Sequence, residues 1–108
     1  MLDRNWRDGP RELDLVIRRG QVLAFVEVKT RRRGQGCHPL ESIGRRKREE
    51  LQRAARAWLG SRGEAVAEEG HPRFQCIRFD AIVVWLRDGR EASVEHVPDA
   101  WRPGWKAF

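Results

Sequence analysis

Two apolar runs, "LDLVI" and "VLAFVEV", flank the break "RRGQ", and this stretch limits the fold more tightly than any other because Gly20 suits the first position of a two-residue turn. The pattern predicts a β-hairpin. With Gly20 and Gln21 as the central pair, Asp14 stands across from Glu27; with Arg19 and Gly20, Asp14 faces Phe25 and Glu27 is diagonal to it. Either loop puts Asp14, Glu27 and Lys29 on one face with Val16, Leu23 and Phe25, because side chains alternate with period two. The other face carries Leu13, Leu15, Ile17, Val22, Ala24, Val26 and Val28. A strand apolar on both sides belongs inside a sheet, where two opposed carboxylates are unfavourable unless a cation lies between them.

A hard divalent metal meets that requirement, since Mg²⁺ takes one or two carboxylates plus waters and phosphate oxygens. Lys29, one step beyond Glu27, is placed to hold or deprotonate an attacking water and to offset charge developing on a phosphodiester. The plainer alternative is a Glu27–Lys29 surface ion pair at a frayed strand end, with Asp14 in solvent.

Beyond the hairpin, "TRRRGQGCHPL" has no hydrophobic period and reads as a basic loop. Ile43, Leu51, Ala54, Ala55, Trp58 and Leu59 then recur at helical spacing, which predicts a helix from Glu41 to about Leu59, ending near Gly60. "GSRGEAVAEEGHP" is a surface linker, "FQCIRFDAIVVWL" supplies one or two strands, and Asp88-Gly89 is a hairpin signal into "EASVEHV". The tail "PDAWRPGWKAF" lacks a period and is expected to be irregular, with one or both tryptophans packed. If "LDRNW" also pairs, the order is three strands, a helix and two strands, a mixed α/β sheet with the helix on one face.

At 108 residues the chain has room for one domain. Lys and Arg number 22 against 16 Asp and Glu, a net charge of +6, and such a balance favours a polyanionic partner such as nucleic acid. No apolar run approaches the roughly 20 residues needed to span a bilayer. Cys37 and Cys76 form no CxxC and "MLDRNWRDG" has no apolar leader, so a cytoplasmic protein with reduced thiols is expected. Cys37-His38, His71 and Cys76 lack the paired spacing of a zinc site.

"RELDLVIRRGQVLAFVEVKTR" resembles the signature of the PD-(D/E)xK nuclease superfamily, an acid, a hairpin interval and E-x-K, and in particular the YraN family of Holliday-junction-resolvase-like proteins. "RNWR", "RRKREELQRAARAWL", "RFDAIVVW" and "VEHVPDAW" are similar to that family in order and spacing. The resemblance implies a restriction-endonuclease-like core and a Mg²⁺- or Mn²⁺-dependent endonuclease acting on structured or branched DNA. Asp14 and Glu27 would bind the metal, Lys29 would be the catalytic lysine, and Glu12 would be an additional acid, with a solvated charge as its alternative. Lys47, four residues from Ile43 and Leu51, lies on or beside the inner stripe, where it reaches phosphate or snorkels at the core edge.

Arg31, Arg32, Arg33, Arg45, Arg46 and Arg48 flank the site and would grip phosphates in a sequence-independent way. Trp58 and Trp85 fall on apolar periods and read as core, and Asp80 reads as a structural partner of Arg78. The chain departs from the family pattern in reaching "RNWR" almost at Met1, without the longer leading helix, so an N-terminally short domain is expected, with a true start upstream, a fragment or a shortened paralogue as the alternatives. An uncovered sheet face and association, such as a homodimer, are then expected. A non-catalytic nucleic-acid-binding module that keeps the nuclease fold is the alternative, and a structural protein with a basic surface is a third reading.

Overall fold

A computed structural model of the chain describes residues 1–32, 43–63 and 76–102. Arg33, the rest of the basic loop with Cys37 and His38, most of the linker with His71, and Trp105 lie outside the described residues.

Among the described residues five strands form one mixed sheet in sequence order: β1 (Asp3–Asp8), β2 (Arg11–Arg19), β3 (Val22–Arg32), β4 (Cys76–Arg87) and β5 (Arg90–Trp101). Of these pairs β3 and β4 run parallel and the others antiparallel, and the stretch joining β3 to β4 contains helix α1 (Arg45–Trp58) and a π-type turn (Leu59–Gly63). The α/β fold with a helix on one sheet face is the one the sequence predicts. Asp88 and Gly89, both at positive φ, close the last hairpin between Arg87 and Arg90. Gly20 at φ +59 opens the central one, whose register (Arg19 opposite Val22, Leu15 opposite Val26) selects the Gly20-Gln21 loop.

The core lies between α1 and the facing side of the sheet. Leu51, Ala54, Ala55 and Trp58 of the helix, with Ile43 just before it, pack on Val16, Leu23, Phe25, Phe79, Ala81 and Trp101. The ring of Phe25 meets Trp58 edge-on at 5.8 Å and stacks on Phe79 at 5.6 Å, and Phe79 stacks on Trp101 at 4.1 Å. The Trp58 indole N–H donates to Asp3 Oδ2 at 3.1 Å, and Arg62 pairs with the same oxygen at 3.2 Å, which fastens the end of the helix to β1.

Four expectations need correction. The helix starts at Arg45, because Ile43 turns into the core and Gly44 is extended, with ψ 176°. Leu13 joins Val16 on the core face, because the β1–β2 ladder is interrupted between Arg4–Leu15 and Trp6–Leu13, where Asn5 takes φ +49 opposite Asp14. Two residues of opposite parity thus share one side. Trp85 is half-buried and outside the core, its indole donating to Glu95 at 3.3 Å. Finally, β5 runs on through Pro98 to Trp101, since a bulge absorbs the extra residues between Val97, opposite Ala81, and Trp101, opposite Phe79.

Asp80 closes that bulge. Its buried carboxylate accepts from the Asp99 N–H at 2.9 Å, pairs with both Arg78 Nε and Nη2 at 2.9 and 3.1 Å, and lies 2.8 Å from His96 Nε2. The structural role read for Asp80, as partner of Arg78, is the one observed.

Trp58→Ala removes the largest fully buried side chain among the described residues and is expected to lower unfolding free energy by about 3–5 kcal/mol in urea titration. Trp58→Phe, which keeps an aromatic ring but not the Asp3 hydrogen bond, is expected to cost a smaller amount.

Candidate metal and nucleic-acid site

The ladder between β2 and β3 ends at Leu15–Val26, one step short of the pair that would set Asp14 against Glu27. From there the strands part. The Val28 N–H donates to Asp14 Oδ2 at 2.8 Å, so a side chain takes up the backbone donor that the departing strand leaves. β3 meanwhile keeps its parallel pairing with β4 as far as Arg32 and Leu86, which holds Glu27 and Lys29 on a rigid strand. The result is a fork with one acid on each prong.

Glu27 is 9 % exposed at the floor of this fork. The Lys29 ammonium lies 3.6 Å from its Oε1, and Lys47, carried in by α1, lies 3.7 Å from the same oxygen. Burial pushes the Glu27 carboxyl above its ordinary value of 4.5, the Asp14 charge adds to the rise, and the two ammoniums act against it. Two carboxylates and two ammoniums therefore meet at the fork, and the carboxylate between the lysines is the desolvated one.

The other residues singled out from sequence are more dispersed. Glu12 is exposed and pairs with Arg7 at 3.5 Å. Among the described residues no three His, Cys, Asp or Glu side chains converge as a metal cluster, so Glu12 does not close on Asp14 and Glu27. Hard oxygens from Asp14 and Glu27 alone still suit a cation that keeps several waters, as Mg²⁺ does. Arg31 continues the Glu27–Lys29 side of β3, Arg32 is exposed, and Arg45 and Arg46 are exposed in weak i,i+4 pairs with Glu49 and Glu50. Arg48 donates from Nε to the Ile43 carbonyl at 3.0 Å and its guanidinium lies 5.8 Å from the Trp101 ring centroid, which makes it a brace for the helix start.

Sequence reasoning missed the fork itself and the direct Lys47–Glu27 contact. Asn5, a residue type that tolerates positive φ, was the available signal for the interrupted β1–β2 ladder. The backbone hydrogen bond to Asp14 had none.

A mixed sheet with a helix on one face and E-x-K on its central strand is consistent with an α/β nuclease-like fold. The chain belongs to the family described as uncharacterised protein family UPF0102, which is the YraN family, whose model matches residues 1–84. It is 44% identical over 106 residues to a UPF0102 protein of Syntrophotalea carbinolica, covering 97% of this chain and 79% of the relative. It is 41% identical over 108 residues to one from Anaeromyxobacter dehalogenans (96% and 74%) and 39% identical over 101 residues to one from Nitratidesulfovibrio vulgaris (94% and 69%). Among the described residues no helix is long and apolar enough to cross a membrane.

A carboxyl whose folded-state pKa is raised binds its proton more tightly in the folded protein, so the stability linked to it is full below 4.5 and is lost as pH rises through the raised value. Glu27→Gln removes that loss. It is expected to be more stable than the parent chain in urea titrations at pH 8, with the advantage disappearing by pH 4.

Proposed function

We propose that this protein is a cytoplasmic, Mg²⁺-dependent endonuclease-like protein acting on structured or branched DNA. The observation that carries the reading is the fork, where Asp14 and a buried Glu27 stand on separate prongs beside Lys29. Burying a carboxylate beside a second one works against stability, a pattern typical of sites kept for binding or chemistry.

In this reading Asp14 and Glu27 would hold a divalent cation, which would supply Lewis-acid polarisation of the phosphodiester and a more acidic water. Lys29 orients the attacking water and offsets the negative charge that grows on phosphorus-bound oxygens. Lys47 faces the same point from α1 and neutralises a substrate phosphate. Arg31, Arg32, Arg45 and Arg46 track the backbone on either side, a sequence-independent and salt-sensitive grip. Homodimerisation would use the sheet face opposite α1, where Leu15, Ile17, Val28, Ile82 and Val84 are half-buried and Val94 is exposed.

A specific observation favours a second reading, a nucleic-acid-binding module without catalysis. Lys29 and Lys47 together already balance the charge of Asp14 and Glu27, so the fork is electrostatically complete without a metal.

Incubation with junction, duplex and single-stranded DNA in Mg²⁺ or Mn²⁺ separates the two. Metal-dependent cutting is expected, reduced roughly hundredfold or more in Glu27→Ala and Lys29→Ala. Cutting undiminished in both variants rules out the assignment, and binding without cutting, equally strong in Glu27→Ala, selects the module.

A further inference from the structure

A groove of about 370 Å³ runs between the β1–β2 turn and α1, beside the fork. Lys47 belongs to both, because its ammonium contacts Glu27 while its side chain lines the groove. Pro10 and Leu51 give the groove's lining an apolar part, Arg11 and Arg53 add two cations to Lys47, and Glu12 and Glu50 add two carboxylates.

This lining is heterogeneous in a way a phosphate-only track is not. Cations alone would serve a backbone, and acids beside them would weaken that grip. The exposed Pro10 ring offers apolar contact to the face of a base, carboxylates accept from exocyclic amino groups, and the cations take the phosphates on either side. The volume is near the lower end of small-ligand pockets and is far too small for a double helix, whose major groove alone is about 12 Å across. The charged groups are available. Arg53 has no ion pair among the described residues, and the pairs of Arg11 with Asp8 (3.9 Å), Glu12 with Arg7 and Glu50 with Arg46 are solvent-exposed and weak.

From this geometry we infer that the groove is a subsite for one unpaired nucleotide adjoining the phosphodiester at the fork. The inference rests on the nuclease-like reading of the fork and narrows its substrate class to DNA with a single-stranded branch or flap next to a duplex. Lys47 then marks the boundary, with the paired strand on the Glu27 side and the displaced nucleotide on the Pro10 side.

The test measures fluorescence anisotropy of a labelled blunt duplex and of the same duplex carrying a single-stranded flap, at fixed salt and without divalent metal. The parent protein is expected to prefer the flap, and Arg11→Glu with Arg53→Glu is expected to reduce the flap-to-duplex affinity ratio roughly tenfold, through loss of the two phosphate contacts flanking the unpaired nucleotide. Arg53→Lys should keep most of the preference, and unchanged thermal melting of both variants excludes unfolding as the cause. A ratio that is unity in the parent, or that does not move in the double variant, overturns the inference. Because the readout needs no cutting, flap preference through the groove in a protein that never cleaves upholds the subsite while removing the nuclease reading, and cleavage with an unmoved ratio does the reverse.

Discussion

The hydrogen bond from the Val28 N–H to the Asp14 carboxylate is the contact on which the site depends. Without it, the parting of β2 from β3 would leave a backbone donor unsatisfied beside the core, at a cost of about 1–3 kcal/mol. With it, the two strands diverge at the point where Glu27 emerges, and an acid from each is left facing a gap that α1 covers with Lys47. The β1–β2 ladder is interrupted at the same residue, opposite Asn5, and Leu13 beside it joins the core.

The fold was legible in the sequence wherever local chemistry was decisive. Gly20 and Asp88-Gly89 specified tight turns, and the helical period of Leu51, Ala54, Ala55 and Trp58 specified the buried face of α1. What was hidden depended on partners distant in sequence. Trp101 was expected to pack, but not from a strand: β5 continues past the bulge where Asp80 accepts the Asp99 N–H, and this sets Trp101 over Phe79. Leu13 was assigned to the wrong side because strict alternation holds only while a strand stays straight.

Asp14, Glu27 and Lys29 were likewise legible as a trio, since the hairpin interval gives a same-face relation whichever loop is used. The position of Lys47 against Glu27 was not, because helix periodicity says which side of α1 faces the sheet and nothing about which strand residue it meets. Nor did the sequence distinguish Arg48 from its basic neighbours, although it braces Ile43 and Trp101 while Arg45 and Arg46 point to solvent. Equal charges in consecutive positions therefore serve different purposes within one turn.

That turn has a further property. α1 begins with Arg45, Arg46, Lys47 and Arg48 behind a glycine that offers no side-chain cap, and its first turn contains no acid. Four positive charges sit at the helix end where the peptide dipoles already place positive charge. The Arg-to-Glu pairs at i,i+4 run in the less favourable direction, with the cation nearer the N-terminus. The start of α1 is thus self-repelling, held down by Ile43, the Arg48 brace and the Lys47–Glu27 pair, and dissolved ions relieve it by screening. Ionic strength consequently acts on the opening turn of this helix directly, tightening it as its like charges are screened.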